Sequence, residues 1–168
     1  GTWNNAAVTF DGAIFANITD TASASGSLLM DLQVGAVSKF SVDKNAESTM
    51  LDLVNTERMK QGVAKVVFNE QLAQVGRDHC KDMFKRGYFS HYTPEGLSPF
   101  DRMINAGITF NFAGENLALA PDVKLAMQGL MQSQGHRENI LSPNFGKVGI
   151  GVIDGGIYGE MFCQEFAD

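Results

Sequence analysis

The stretch Val148-Gly149-Ile150-Gly151-Val152-Ile153-Asp154-Gly155-Gly156, with the run from Ile157 to Phe166 behind it, decides the fold class. Val148, Ile150 and Val152 alternate with Gly149 and Gly151, the two-residue period of a strand. Asp154-Gly155-Gly156 is a turn signal, so Ile157 to Phe166 is expected to return beside the first run as a hairpin. Both strands carry apolar residues on both faces, which requires helices over each side of the sheet. The fold class that follows is α+β: a three-layer α-β-α sandwich with a small, largely antiparallel sheet between helices, preceded by an N-terminal β-like arm.

The helices are written upstream. Asn45 can cap a helix carrying Leu51, Val54 and Arg58 on one side, ended by Gly62. Val66-Val67-Phe68 is a short extended piece. Asn69 caps a second helix that stops at Gly87, with Leu72, Val75, Gly76, His79, Cys80 and Met83 as its buried stripe. Gly76 within that stripe points to close approach of another backbone. Ser98-Pro99-Phe100-Asp101 combines a cap, a proline at the first helical position and a carboxylate three residues after the cap. That third helix is short and stops at Gly107. Ile108, Phe110 and Phe112 alternate like a strand. A fourth helix is expected from about Pro121, burying Val123, Met127, Leu130 and Met131 and ending before Gly135.

Residues 1–45 differ in character, being rich in Ala, Ser, Thr, Gly and Asn, and are set apart as an extended or β-hairpin arm on a main domain of residues 46–168. Within the arm, Asp20 to Ser27 reads as a turn or loop, and Asn17-Ile18-Thr19 fits a glycosylation sequon.

At 168 residues, with 44% hydrophobic and 19% charged, the chain can bury a core and is globular rather than disordered. A net charge of −6 argues against nucleic acid, which needs a basic face. No apolar run is long enough to span a bilayer. The chain begins at Gly1 without a basic n-region or an apolar h-region, so any export signal is expected to have been removed already. A monomer is the favoured state. Cys80 and Cys163 are too few for a cysteine-based zinc site; one bridge between a helix and a late strand, or two buried small hydrophobes, remain open.

Chemistry concentrates in Ser90-His91-Tyr92-Thr93-Pro94, Gly114-Glu115-Asn116 and Gly135-His136-Arg137-Glu138-Asn139, which hold two of the three histidines. Two imidazoles and a carboxylate brought together make a divalent-metal site or an acid/base pocket. Taken singly, each histidine reads more simply as a helix cap or loop pin, and Glu115 as a loop-fixing carboxylate. A carboxylate flanked by Phe110 to Ala113 and Leu117 to Ala120 is expected to be partly buried and to need a cationic or donor partner. His79, on an apolar stripe, reads as a core histidine. Arg102, Arg137 and Glu138 read as a salt-bridged scaffold. The rings of Phe100, Phe110 and Phe112 are expected in the core rather than in a groove. Gly149-Ile150-Gly151 lacks the third glycine of a dinucleotide loop, and no nucleophile elbow or phosphate loop occurs.

Taken in order, these segments from about residue 48 to 166 resemble the CAP superfamily: the cysteine-rich secretory, antigen 5 and pathogenesis-related proteins, in their bacterial SCP-like extracellular branch. The residues carrying it are Asn55-x-x-Arg58, Gly87-Tyr88-Phe89-Ser90-His91, Pro94-x-Gly96-x-Ser98-Pro99-Phe100-Asp101-Arg102, Gly114-Glu115-Asn116, Ser133-x-Gly135-His136-Arg137-x-Asn139-Ile140-Leu141 and Gly149-x-Gly151. The resemblance implies an exported α-β-α sandwich with a central cleft built by two histidines and two acids. Carried over, these are His91, His136 and Glu115. The second acid is expected on the helix of residues 121–133, which offers Asp122, with Gln128 and Gln132 further on. The implied cofactor is one divalent ion on His91, His136 and Glu115, zinc foremost, magnesium or calcium otherwise. A binding module for a small-molecule, lipid or cell-envelope ligand ranks above two alternatives. These are a hydrolase of peptide or cell-wall material using His91, Glu115 or His136, and a lipid or sterol binder.

Overall fold

The structure, a computed structural model, describes residues 31–34 and 37–168, with side chains from Ser41 onward; the loop expected at 20–27 and the Asn17 sequon lie outside the described residues. In chain order the elements are β1 (Asp31–Val34), β2 (Val37–Val42), α1 (Lys44–Lys60), β3 (Val67–Phe68), α2 (Glu70–Arg86) and α3 (Pro99–Asn105). There follow β4 (Ala113–Ala120), α4 (Val123–Gln132), α5 (Gln134–Leu141), β5 (Lys147–Asp154) and β6 (Glu160–Ala167). The strands run β1-β2-β5-β6-β4 with antiparallel neighbours. β3 adds in parallel to the start of β5, on the edge whose far end takes β2.

β5 shows why the sandwich forms. Val148, Ile150 and Val152 are fully buried among Met50 and Val54 of α1, Met127 and Leu130 of α4, and Ile140 of α5. Its glycines face the other layer. A Cβ on Gly149 would lie 2.0 Å from the Ala73 nitrogen, and one on Gly151 2.3 Å from the Arg77 nitrogen, so α2 lies directly on the sheet. Gly76 completes the contact as expected: its Cβ would be 3.2 Å from Cys163 Cβ. Four residues further along α2, Cys80 is disulfide-bonded to Cys163 of β6, settling the alternative left open above.

The α2 stripe is buried throughout, with Asn69 accepting from the Leu72 amide and Gly87 left-handed at φ 69°. The α3 capping box forms between Ser98 and Asp101. Other expectations need correction. α1 is capped two residues earlier, by Asp43 rather than Asn45. Residues 108–112 are irregular despite their alternation, whereas Gly114-Glu115-Asn116 lies inside β4, paired with Phe166, Glu165 and Gln164 of β6. α4 ends at Gln132, before Gly135 as expected, but Gly135 itself lies in the first turn of a further helix, α5. Ile157 and Tyr158 belong to an exposed 3-10 turn before β6. Phe100 and Phe112 are exposed rather than core, Phe100 resting against Phe110.

Arg58 explains its own place on the buried side of α1. It is completely buried and donates to the carbonyls of Ala64, Ile140, Ser142 and Phe145 at 2.7 to 3.0 Å. Those carbonyls would otherwise be costly to bury unpaired. Two of them close the C-terminal end of α5, so Arg58 fixes the helix that carries His136.

Candidate functional site

His91 sits on the connection between α2 and α3. The Gly87 stop releases the chain from α2, and His79 pins it: its Nε2 lies 2.9 Å from the Ser90 carbonyl. His79 is therefore the buried core histidine expected, with its imidazole pushed toward the neutral form by burial and by Arg102. Arg102 of α3 donates to the His91 carbonyl at 2.8 Å and to Glu115 Oε2. It was expected in a salt-bridged scaffold. It is the cation that faces the site's carboxylate. Arg137 instead donates to the Met131 carbonyl, and Glu138 accepts from Gln134 within α5.

Glu115 lies within β4 and is buried. Its Oε1 is 2.6 Å from His91 Nδ1. Burial works to raise this carboxyl, but the hydrogen bond from His91 and the charge of Arg102 outweigh it and hold it below the usual carboxylate range. With Glu115 ionised, Nδ1 of His91 carries the proton and donates, which leaves Nε2 as the ring nitrogen without that bond. The His91 side chain is 46% exposed, so it joins a buried charge to the protein surface.

A second acid does stand beside Glu115, but not on residues 121–133. Glu165 is its partner across the β4–β6 ladder and is completely buried. Burial, then the charge of Glu115, push its carboxyl well above the ordinary range. Asp122 caps α4 through the amides of Lys124 and Leu125. The available signal for Glu165 is a carboxylate, beside Gln164, inside the mostly apolar run from Met161 to Ala167.

His136 lies in the first turn of α5. Its carbonyl accepts from Asn116 Nδ2 at 3.1 Å, and Asn139 donates back to Asn116 Oδ1 at 2.9 Å. The Gly-Glu-Asn segment thus serves both sides of β4, Glu115 toward His91 and Asn116 toward α5. Burial, then repulsion from His91, keep the His136 imidazole below its ordinary value. Glu115 itself is engaged by His91 and Arg102. Among the described residues no three His, Cys, Asp or Glu side chains gather to hold a metal ion.

A groove of about 300 Å³ runs beside β4, between Phe89 and α4, with Ser133 and His136 at its polar end. No helix among the described residues is long and apolar enough to cross a membrane.

The sequence profile of the CAP, or cysteine-rich secretory protein, family matches residues 51–166. YkwD of Bacillus subtilis (strain 168) is 39% identical over 121 residues, covering 71% of this chain and 46% of that protein. YlbC of the same organism, named a membrane protein, is 33% identical over 126 residues, covering 74% and 36%. The chain therefore spans less than half the length of these two relatives. An SCP-domain extracellular protein of Bacillus anthracis superposes with a TM-score of 0.66 at 32% identity, over 73% of this chain and 40% of that one. An outer surface protein of Borrelia burgdorferi shares the fold at a TM-score of 0.71 and 16% identity, over 83% and 98%. A matching profile over most of the chain, on the sandwich and around the residues just described, places it in one family: the chain belongs to the CAP, or cysteine-rich secretory protein, family.

Proposed function

We propose that this chain is an extracellular binding module whose cleft takes a divalent ion on His91 and His136, with Glu115 orienting rather than ligating. The observation that carries this reading is the 2.6 Å contact between His91 Nδ1 and Glu115 Oε1. A carboxylate on the far nitrogen of an imidazole is the arrangement that sets the tautomer of a metal-binding histidine and raises its basicity. Two imidazoles suit zinc, whereas magnesium and calcium demand oxygen donors, and the Glu115 oxygens are engaged by His91 and Arg102. Such an ion would leave positions open to a donor atom of the ligand. The extracellular placement is supported by the Cys80–Cys163 disulfide, which persists in oxidising compartments, and by the extracellular and outer-surface relatives.

A hydrolase using Glu115 as base is the weaker reading. A carboxylate held below its usual range by His91 and Arg102 is a poor proton acceptor near neutral pH. Calorimetry on chelator-stripped protein tests the proposal. One zinc per chain should bind, His91→Ala should abolish the heat, and Glu115→Gln should weaken affinity about 10- to 100-fold. Absence of zinc heat on the unaltered protein overturns it.

A further inference from the structure

Leu117, Ala118, Leu119 and Ala120 all line the groove beside β4. Successive strand side chains point to opposite faces. Leu119 shares a hollow with Phe89, Met83 and Tyr88 on the α2 side, whereas Ala118 and Ala120 pack with Ala126 and Leu130 of α4, so a groove lined from both sides wraps the edge of the strand. Among the described residues β4 is the last strand of the sheet, and all eight of its residues pair with β6 on the inner side. The wall of the groove is therefore the outer row of β4 backbone N–H and C=O groups. Facing it are Ala126, Gly129 and Leu130 of α4, while Phe89, Leu119 and Leu125 form a rim about half exposed. A Cβ on Gly129 would meet nothing within 4 Å, so the helix leaves room where the groove is bounded. Among the described residues no Asp, Glu, Lys or Arg lines it.

The occupant has to match that distribution of charge. Partial charges alternate along the strand edge, and along Leu117–Ala120 and the facing α4 residues the described lining carries no charged side chain, His136 lying at the far end. A charged segment would lose hydration there without a partner. An acyl chain would fill the apolar walls but leave the edge's polar groups unpaired. An extended polypeptide answers both, supplying its own amides to the edge and apolar side chains to the rim. We infer that the groove binds an uncharged, extended segment of a partner polypeptide as an added strand on β4. The open edge at Leu117–Ala120 spans about 14 Å at ~3.4 Å per residue, room for four or five residues. This rests on the reading of the cleft as a ligand-binding site, and not on the ion.

Amide NMR shifts of the labelled protein, in buffer containing chelator, test it with the capped peptide acetyl-Ala-Val-Ala-Val-Ala-amide. Two versions N-methylated on alternate amides, one for each parity, serve as comparators. N-methylation removes donors and leaves the side chains. The expected result is shifts centred on Leu117–Ala120 and Gly129, with affinity falling about tenfold or more for one parity only. Equal binding of all three peptides overturns strand addition in favour of simple apolar filling. Absence of shifts at millimolar peptide overturns it outright. Gly129→Leu should fill the groove on a position that accepts a side chain, abolishing the peptide shifts while zinc calorimetry stays unchanged. Retained peptide shifts in that variant would place the peptide elsewhere and overturn the assignment. Peptide binding without zinc heat would remove the ion and leave this inference standing; zinc heat without peptide binding would do the reverse.

Discussion

Glu115 and Glu165 face each other across the β4–β6 ladder with opposite protonation preferences. Arg102 and His91 hold the first carboxyl below its ordinary range, while burial and the charge of Glu115 push the second well above. Two carboxylates on opposed strand positions repel if both ionise. The pair therefore carries one charge, neutralised by Arg102, and one proton.

The proton on Glu165 makes stability depend on pH. A raised folded-state value means that the native chain binds a proton the unfolded chain has released. Stability is then full below the ordinary carboxyl range and is lost as pH rises toward the folded value. Glu160, raised to about 7 by burial and by Asp43, Asp154 and Asp122, gives a slope of the same sign. The contribution of Glu165 is accordingly the difference between Glu165→Gln and the unaltered protein in urea unfolding from pH 5 to 9. The variant should gain on the unaltered protein as pH rises. Parallel curves would show that Glu165 is ionised in the folded chain.

Removing the charge on Glu115 strands a cation. The Arg102 side chain is 11% exposed, so Glu115→Gln should cost about 3 kcal/mol. At ~2–4 °C per kcal/mol the melting temperature should fall by roughly 6–12 °C. Adding Arg102→Met should restore part of that loss, because both members of the pair are then gone. Strictly additive losses in thermal melts of the two single variants and the double variant would show that the ion pair is not coupled.

Two glycines should respond in opposite directions to the same added methyl group. On Gly149 it would lie 2.0 Å from the Ala73 nitrogen, forcing α2 off the sheet. Gly149→Ala should cost about 3 kcal/mol or more and weaken zinc binding, since α2 leads into the His91 connection. Gly129→Ala, inside α4 with open space around it, should gain about 0.5–1 kcal/mol from helix propensity. Circular-dichroism melts of the two variants decide both; a neutral Gly149→Ala would mean that α2 does not sit against β5.

The disulfide closes a separation of 83 residues between α2 and β6. Constraint of the unfolded chain over such a loop is worth about 4–5 kcal/mol. Replacing both cysteines with alanine should lower the melting temperature by roughly 10 °C or more. Thiol titration under denaturing, non-reducing conditions should find no free thiol. Two thiols per chain would show that the bridge does not form.

The helices were legible because their signals are local. Asn69, the six-residue apolar stripe and Gly87 mark α2 through contacts no more than a few residues apart, and the Ser98–Asp101 box does the same for α3. Strand β4 was not legible in this way. Gly114-Glu115-Asn116 has little strand propensity, and it continues the strand because the ladder from Ala113 to Ala120 is templated by β6, more than forty residues later. The alternation of Ile108, Phe110 and Phe112 misled for the converse reason: periodicity without a pairing partner makes no strand.

By itself the sequence determined the family, the layered architecture, the limits of α2 and α3, and the three polar segments in which His91, Glu115 and His136 lie. Only the tertiary structure decided that Glu115 serves His91 and Arg102 and that its acidic partner is Glu165. The reason is physical. What a carboxylate does is set by which groups lie within about 3 Å of its oxygens and by how much water is excluded. Around Glu115 those conditions are assembled by α3, β6 and the connection after α2, segments that no local pattern brings together.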